Sequence, residues 1–428
     1  MLSAFFNAFK VADLRKKIFF TLFIVGIYRL GAFIPAPGID FAAARRLTES
    51  SDNLVTLLNL FSGGALTQLA VFALGIMPYI TASIMMQLLT VVIPKLEQWQ
   101  KEGESGYKKI TQWTRYLTVA LAVMESTGIA VLAHRGGFRD SQNQPIDLIP
   151  KFTTGRVALI VLTLTAGTAL VMWLGEQITQ RGIGNGMSIL IFASVVSSLP
   201  AQGGNIQAQL GWSWTGFILL LVVLLIVGIV FVEQGQRRVP VQYAKRMVGR
   251  KMYGGGSTYI PLKVNQSGVI PIIFASSILY FPAMIVTVIQ WRPLRTFIEN
   301  HVINQASLVH IAFYGLLVIG FSYFYTAIAF NPVDVADNMK KYGGFIPGIR
   351  PGRATAEHLS FILSRITLPG ALFIAAIAIL PSIALATLQV ESFPFGGTSI
   401  LITVGVALET MKQIESQLLM RHYEGFLA

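Results

Sequence analysis

The chain has 428 residues, 54% of them hydrophobic and only 12% charged, and its mean hydropathy is +0.62. Soluble domains carry about a quarter charged residues, so this composition excludes an ordinary soluble protein and describes one that crosses a membrane many times. The net charge is +13 and there is no cysteine, which excludes disulfides, a thiolate nucleophile, Fe–S clusters and zinc–thiolate sites.

Met1 to Phe9 has neither a basic n-region nor a small-residue cleavage site, so no removable signal peptide is expected. Apolar runs close to the ~20 residues that span a bilayer follow at about 18–34, 69–93, 116–133, 157–175, 214–232, 268–291, 308–330 and 366–386. Weaker runs lie near 187–199 and 399–417, the second turning amphipathic through Glu409, Lys412 and Glu415. In chain order these predict ten spans, five on each side of the middle. Between spans 1 and 2, Leu54, Leu57, Leu58 and Phe61 fall at helical spacing and stop at Ser62-Gly63-Gly64. This segment, about 53–64, is too short to span. It reads either as an interfacial amphipathic helix or as a re-entrant piece within a cavity.

Lys and Arg accumulate in cytoplasmic loops. With the N-terminus in the cytoplasm, 24 of the 33 basic residues fall on the cytoplasmic side and 9 on the other. Losing either weak span would scramble that alternation. Two stretches then stand out. Gly75-Ile-Met-Pro78-Tyr-Ile80-Thr-Ala82-Ser83 opens span 2, and Gly268-Val-Ile-Pro271-Ile-Ile273-Phe-Ala275-Ser276 opens span 7. Such residues are common in membrane helices, and composition alone could match them. Spans 2 and 7, however, run in opposite directions, which an inverted repeat of five helices requires.

Charges within the spans are few: Arg29, Glu125, Glu176, Arg365 and Glu409. For Glu125 and Glu409, snorkelling at a helix end or a single interhelical hydrogen bond is expected rather than a functional pair. The five histidines show no ligand spacing, no carboxylate cluster suggests ion coupling, and no phosphate-binding loop is present. No metal, cofactor or catalytic residue is expected, and any energy source must sit on another protein. Two cytoplasmic loops, about 233–266 and 331–358, are rich in basic residues and turn signals. Some of that basicity sets topology, but its density suits an RNA backbone or an acidic protein surface.

Four strings carry a family resemblance: Ala73-Leu-Gly-Ile-Met-Pro-Tyr-Ile-Thr-Ala-Ser83, Gly175-Glu-Gln-Ile-Thr-Gln-Arg-Gly-Ile-Gly-Asn-Gly186, Gln236-Arg-Arg-Val-Pro-Val-Gln-Tyr-Ala-Lys-Arg246 and Gly344-Phe-Ile-Pro-Gly-Ile-Arg-Pro-Gly352. They closely resemble the SecY family, the channel subunits of the protein-export translocon, and the similarity runs from Asp13 to Tyr423. The resemblance implies an all-α integral membrane fold of ten transmembrane helices in two inverted pseudo-symmetric halves, 1–200 and 201–428, with a short re-entrant plug helix. It implies a protein-conducting channel rather than an enzyme, with an hourglass pore and a lateral gate between helices 2 and 7 for signal sequences and membrane helices.

Carried over residue by residue, the resemblance places a pore ring at Ile80, Ile84, Met187, Ile191, Ile273 and Ile402. Met187 departs from the aliphatic usual there. Pro78, Ser83, Pro271 and Ser276 fall on the gate, and Leu54, Leu57, Leu58 and Phe61 on the plug. Arg246, Arg250, Lys251 and Arg350 match positions that dock the ribosome or the motor ATPase SecA. The implied partners are SecE and SecG, SecA, the ribosome, signal peptides and nascent chains, membrane lipid, and SecD/SecF and YidC. The implied location is the plasma membrane, with both termini cytoplasmic. An aliphatic ring at a narrow waist forms a dewetting barrier that flexes around a passing chain. A secondary transporter, suggested by the inverted repeat alone, would instead need polar ligands at the midplane; a membrane scaffold or enzyme would need catalytic groups that are missing.

Overall fold

The computed structural model describes residues 8–40, 43–44, 62–134, 138–139, 144–150, 152–243, 246–248, 251–253, 257–288, 291–388 and 397–424. Leu54, Leu57, Leu58, Phe61 and Arg250 lie outside them. The helices are α1 (Ala12–Gly31), α2 (Met77–Val92), α3 (Pro94–Lys101), α4 (Glu104–His134), α5 (Thr154–Arg181), α6 (Gly186–Gln234), α7 (Ile270–Val288), α8 (Arg292–Phe297), α9 (Leu308–Ala329), α10 (Pro332–Lys341), α11 (Arg353–Leu388) and α12 (Gly397–Glu424). A π-helical turn, Ile298–Ile303, joins α8 to α9.

Among the described residues, five helical stretches are long and apolar enough to span by themselves: Glu104–His134, Thr154–Arg181, Gly211–Gln234, Leu308–Lys341 and Arg353–Ile383. A sixth is the bent pair α2–α3, which turns by 99° at Pro94, where the missing N–H and fixed φ break the helix. The other predicted spans coincide with α1, α12 and two shorter apolar helices, Gly186–Pro200 and Ile270–Leu279. Spans 5 and 6 share α6, which is broken at Gly211 in the left-handed region (φ 77°). The protein is thus a multi-pass, mostly helical membrane protein.

Span 2 differs from expectation. The apolar run begins near residue 69, yet α2 starts only at Met77, and residues 62–76 form a chain of buried turns. Non-helical backbone at this depth must be satisfied by protein. Here Ala36 N donates to Leu69 O (3.0 Å), Val71 N to Ile34 O (2.8 Å) and Ala70 N to Ala65 O (2.9 Å). Leu69 itself is held at φ 41°, the one non-glycine residue with positive φ among those described. Hydropathy reads this segment as helix because burial, not periodicity, dominates its composition.

The large apolar cluster draws on both halves, from Tyr28 and Phe72 through Ile191 and Ile273 to Ile402. Helix α7 packs on α2 and α4 on one side and on α9 on the other, while α6 packs on α12 and α5. Outside the spans the basic loops are not irregular. Strands β3 (Gln236–Tyr243) and β6 (Ser257–Lys263) form an antiparallel ribbon, and β7 (Gly344–Phe345) from the second loop pairs with Gln242 and Tyr243. Val239, Val241 and Leu262 pack with Met339 of α10, Ile346 and Leu359 of α11, so the two loops are one small body. The remaining strands are the short hairpins β1–β2 (Phe138–Arg139, Pro145–Ile146) and β4–β5 (Arg246–Val248, Lys251–Tyr253).

Candidate functional site

The repeated stretches fold alike. Gly75 and Gly268 both sit in the left-handed region, at φ 55° and 61°, a conformation that glycine adopts without steric cost. Each is followed two residues later by a helix, with Pro78 and Pro271 as second residues of α2 and α7. Proline is tolerated in a first helical turn because its absent N–H would be unpaired there. Burial matches too: Ile80 and Ile273 are each 7% exposed, and Ala82 and Ala275 are fully buried. Ser276 is buried and Ser83 half-buried. The two helices touch directly.

Ile80, Ile84, Ile191, Ile273 and Ile402 are all buried within the shared apolar cluster, and Met187 packs against its margin. Met187 is set by the turn between α5 and α6. Asn185 caps α6, its Oδ1 accepting from Met187 N (3.1 Å) and Ser188 N (3.4 Å). Thr179 Oγ1 accepts from Gly186 N at 2.9 Å. Gly175 and Gly186 are in near-contact, since a Cβ on Gly186 would lie 1.8 Å from Gly175 O and one on Gly175 2.5 Å from Met187 Sδ. The glycines at both ends of the Gly175–Gly186 string therefore serve close packing of the helix pair.

Several polar groups in the spans have structural partners, whereas among the described residues Gln87 Oε1, Glu125 Oε2 and Thr403 Oγ1 are buried without one. Arg115 of α4 grips Glu176 of α5 through two parallel hydrogen bonds, Nε to Oε1 at 2.8 Å and Nη2 to Oε2 at 2.7 Å. Arg29 Nη1 donates to Gly63 O at 3.0 Å, tying α1 to the start of the buried turns that precede α2. Glu125 is only 4% exposed, and its Oε2 has no hydrogen-bond partner. It lies deep within α4, so the expectation of end-of-helix snorkelling is wrong for it: the side chain is enclosed by protein. Glu409 is exposed. No group of three metal-ligating side chains occurs among the described residues.

The docking candidates are spread over the small body. Arg246 and Lys251 lie on the β4–β5 hairpin, in register opposite Tyr253 and Val248. Arg350 is exposed, and its carbonyl accepts from Thr355 Oγ1 at 2.9 Å, stabilising the turn before α11. β7 joins the ribbon at the end of β3 nearest the hairpin, which brings the two basic loops to the same end.

Sequence reasoning missed two buried tyrosines. Tyr28 OH lies 2.6 Å from Ser194 Oγ, and Tyr314 OH lies 3.2 Å from Ser276 Oγ and 2.8 Å from Thr398 Oγ1. The available signal was a phenol within each apolar run, since a buried hydroxyl demands a partner.

The SecY family profile matches residues 70–411, four-fifths of the chain. The chain belongs to the SecY family. The protein translocase subunit SecY of Streptomyces scabiei is 56% identical over 439 aligned residues, with both chains fully covered. That of Mycobacterium bovis is 52% identical over 445, again covering both chains in full. Among solved structures, one described as a protein conducting channel aligns with TM-score 0.62 at 16% identity, covering 94% of this chain and 91% of its own. The Sec61 channel of a canine ribosome–channel complex aligns with TM-score 0.57 at 16% identity and the same coverage. At that identity the structural likeness speaks to the fold, which is that of the SecY family.

Proposed function

We propose that this chain is the central protein-conducting channel subunit of a Sec translocase in the plasma membrane. It passes unfolded polypeptides between two inverted halves, 1–200 and 201–428, and releases signal sequences and membrane helices sideways between α2 and α7. The observation that carries the reading is the matched start of these helices. A left-handed glycine, a proline and a buried isoleucine recur at the same spacing in α2 and α7, which meet within one apolar core. Ile80, Ile84, Met187, Ile191, Ile273 and Ile402 form the seal, a waist without polar groups that excludes water and ions. Leu54, Leu57, Leu58 and Phe61 keep their role as plug on sequence alone. A solute transporter would need polar ligands where these aliphatic side chains lie.

Both termini are cytoplasmic in this reading, and the ribbon body with Arg246, Arg250, Lys251 and Arg350 receives SecA or the ribosome. SecE and SecG complete the assembly, with SecD/SecF and YidC as further partners. The absence of native cysteine allows a clean test. Cysteines at Ser83 and Ser276 should, once oxidised, block insertion of signal sequences, and reduction should restore it. Full export with the two helices covalently joined would refute the gate.

A further inference from the structure

We infer that Tyr28 and Tyr314 are positioning residues for the pore ring, fixing from behind the helices that carry Ile191, Ile273 and Ile402. The inference rests on the ring reading above.

A spacing recurs along the chain. Ser194 follows Ile191 by three residues and Ser276 follows Ile273 by three, as Ser83 follows Ile80. Three residues on an α-helix is nearly one turn, about 60° around the axis. A serine there points beside its isoleucine, into the wall rather than the waist. In two of the three cases a buried tyrosine from a neighbouring helix meets it. Ser194 Oγ already donates to Leu190 O at 3.0 Å, so the 2.6 Å contact with Tyr28 is one in which the phenol donates. That joins α1 to α6. Tyr314 has a single proton and two partners, so it donates to one and accepts from the other. Ser276 stands one turn from Ile273, and Thr398 stands four residues before Ile402. One hydroxyl on α9 thus fixes the ring-bearing turns of both α7 and α12.

Both phenols are held rigidly. Tyr28 is fully buried and stacks on Phe72 with centroids 5.9 Å apart and planes at 10°. Phe72 in turn sits where any side chain on residue 31 would be, 2.0 Å from the Cβ that Gly31 lacks. Tyr314 is 5% exposed, with the His310 ring 6.0 Å away and His310 Nδ1 held by Val302 O at 2.6 Å. A phenol so placed cannot adjust when its partner shifts. The height of each ring residue is therefore set by a fixed point outside the ring, and α7 leaves the closed position either by carrying α9 and α12 with it or by breaking the Tyr314 bridge.

The test uses the full chain with its partner subunits in planar bilayers, reading resting ionic conductance beside the thermal midpoint. Tyr28→Phe and Tyr314→Phe keep shape and remove only the hydroxyl. Each should raise resting conductance about fivefold, the population change expected from one lost hydrogen bond, while the thermal midpoint stays close to native. Tyr314→Phe with Ser276→Ala should leak no more than the worse single variant, because both remove the same bond. Tyr323→Phe, at an exposed phenol on the same helix, should seal normally. Ile273→Ser reports on the ring. If it leaks while the phenylalanine variants seal like native, the positioning role is overturned and the ring stands. If Ile273→Ser also seals, the ring reading falls and takes this inference with it. Should a phenylalanine variant fail to fold, Ser194→Ala removes the Tyr28 bond and Ser276→Ala combined with Thr398→Val removes both Tyr314 bonds from the other end, and unchanged conductance in both would equally overturn it.

Discussion

Gly75 and Gly268 show how much of the seam is decided by single backbone positions. Both occupy positive φ at the start of a gate helix, where an L side chain costs roughly 1–2 kcal/mol. Gly75→Ala and Gly268→Ala should therefore each lower stability by about that amount and by similar amounts, measurable as thermal unfolding in detergent. A large penalty at one position and none at the other would break the equivalence of the two stretches. Glu125 makes the opposite case. Its buried Oε2 is orphaned, and a charge within a span costs ~2.5–3.5 kcal/mol on insertion scales. Glu125→Gln, isosteric and uncharged, should leave the thermal midpoint native-like or higher, whereas Glu125→Lys should prevent stable accumulation in the membrane.

At the scale of elements, the first turn of α6 links the Asn185 cap, the close packing on α5 and the proposed seal at Met187. Losing the Asn185 cap costs about 1 kcal/mol in helix stability. Asn185→Ala should fray the turn that holds Met187 and raise resting leak, while Asn185→Asp, which caps equally well, should not; equal leak from both would deny the cap its role. Elements were legible in the sequence where hydrophobic length or a turn residue spoke clearly, as for α4, α5, α9 and the two stretches opening α2 and α7. They were illegible where tertiary structure overrode local pattern. Residues 65–76 are as apolar as a helix because they are buried, yet their backbone hydrogen bonds go to Ile34 and Ala36 and to one another. The basic loops read as loops because Pro and charge obscure strand alternation in β3 and β6 and glycines lie between them. Their order comes from packing against α10 and α11, which lie about 75–125 residues away.

For the whole molecule, charge and hydrophobicity divide the labour. Of its 33 Lys and Arg, 24 fall on the side assigned to the cytoplasm, and several decorate a ribbon body packed through its own apolar cluster, separate from the one that holds Ile80, Ile273 and Ile402. Changes on the ribbon should therefore alter partner engagement without touching the seal. Arg350→Glu should impair SecA-driven export in vesicles while resting conductance stays native, and an equal rise in leak would count against a docking role. The Tyr28 and Tyr314 bridges went unread in the sequence for a related reason: a hydroxyl's partner lies up to 166 residues away, and no local pattern announces it.

Helix α2 has 16 residues, about 24 Å of rise, against a hydrocarbon layer of ~30 Å. Pro94 then turns the chain by 99° into α3, leaving Val91 and Val92 exposed at the corner. The remaining depth falls to the buried turns of residues 62–76, whose backbone is satisfied by Ile34 and Ala36. This span is thus part helix and part irregular chain, and its irregular part can stay within the membrane only while α1 and the loop after it remain packed against it.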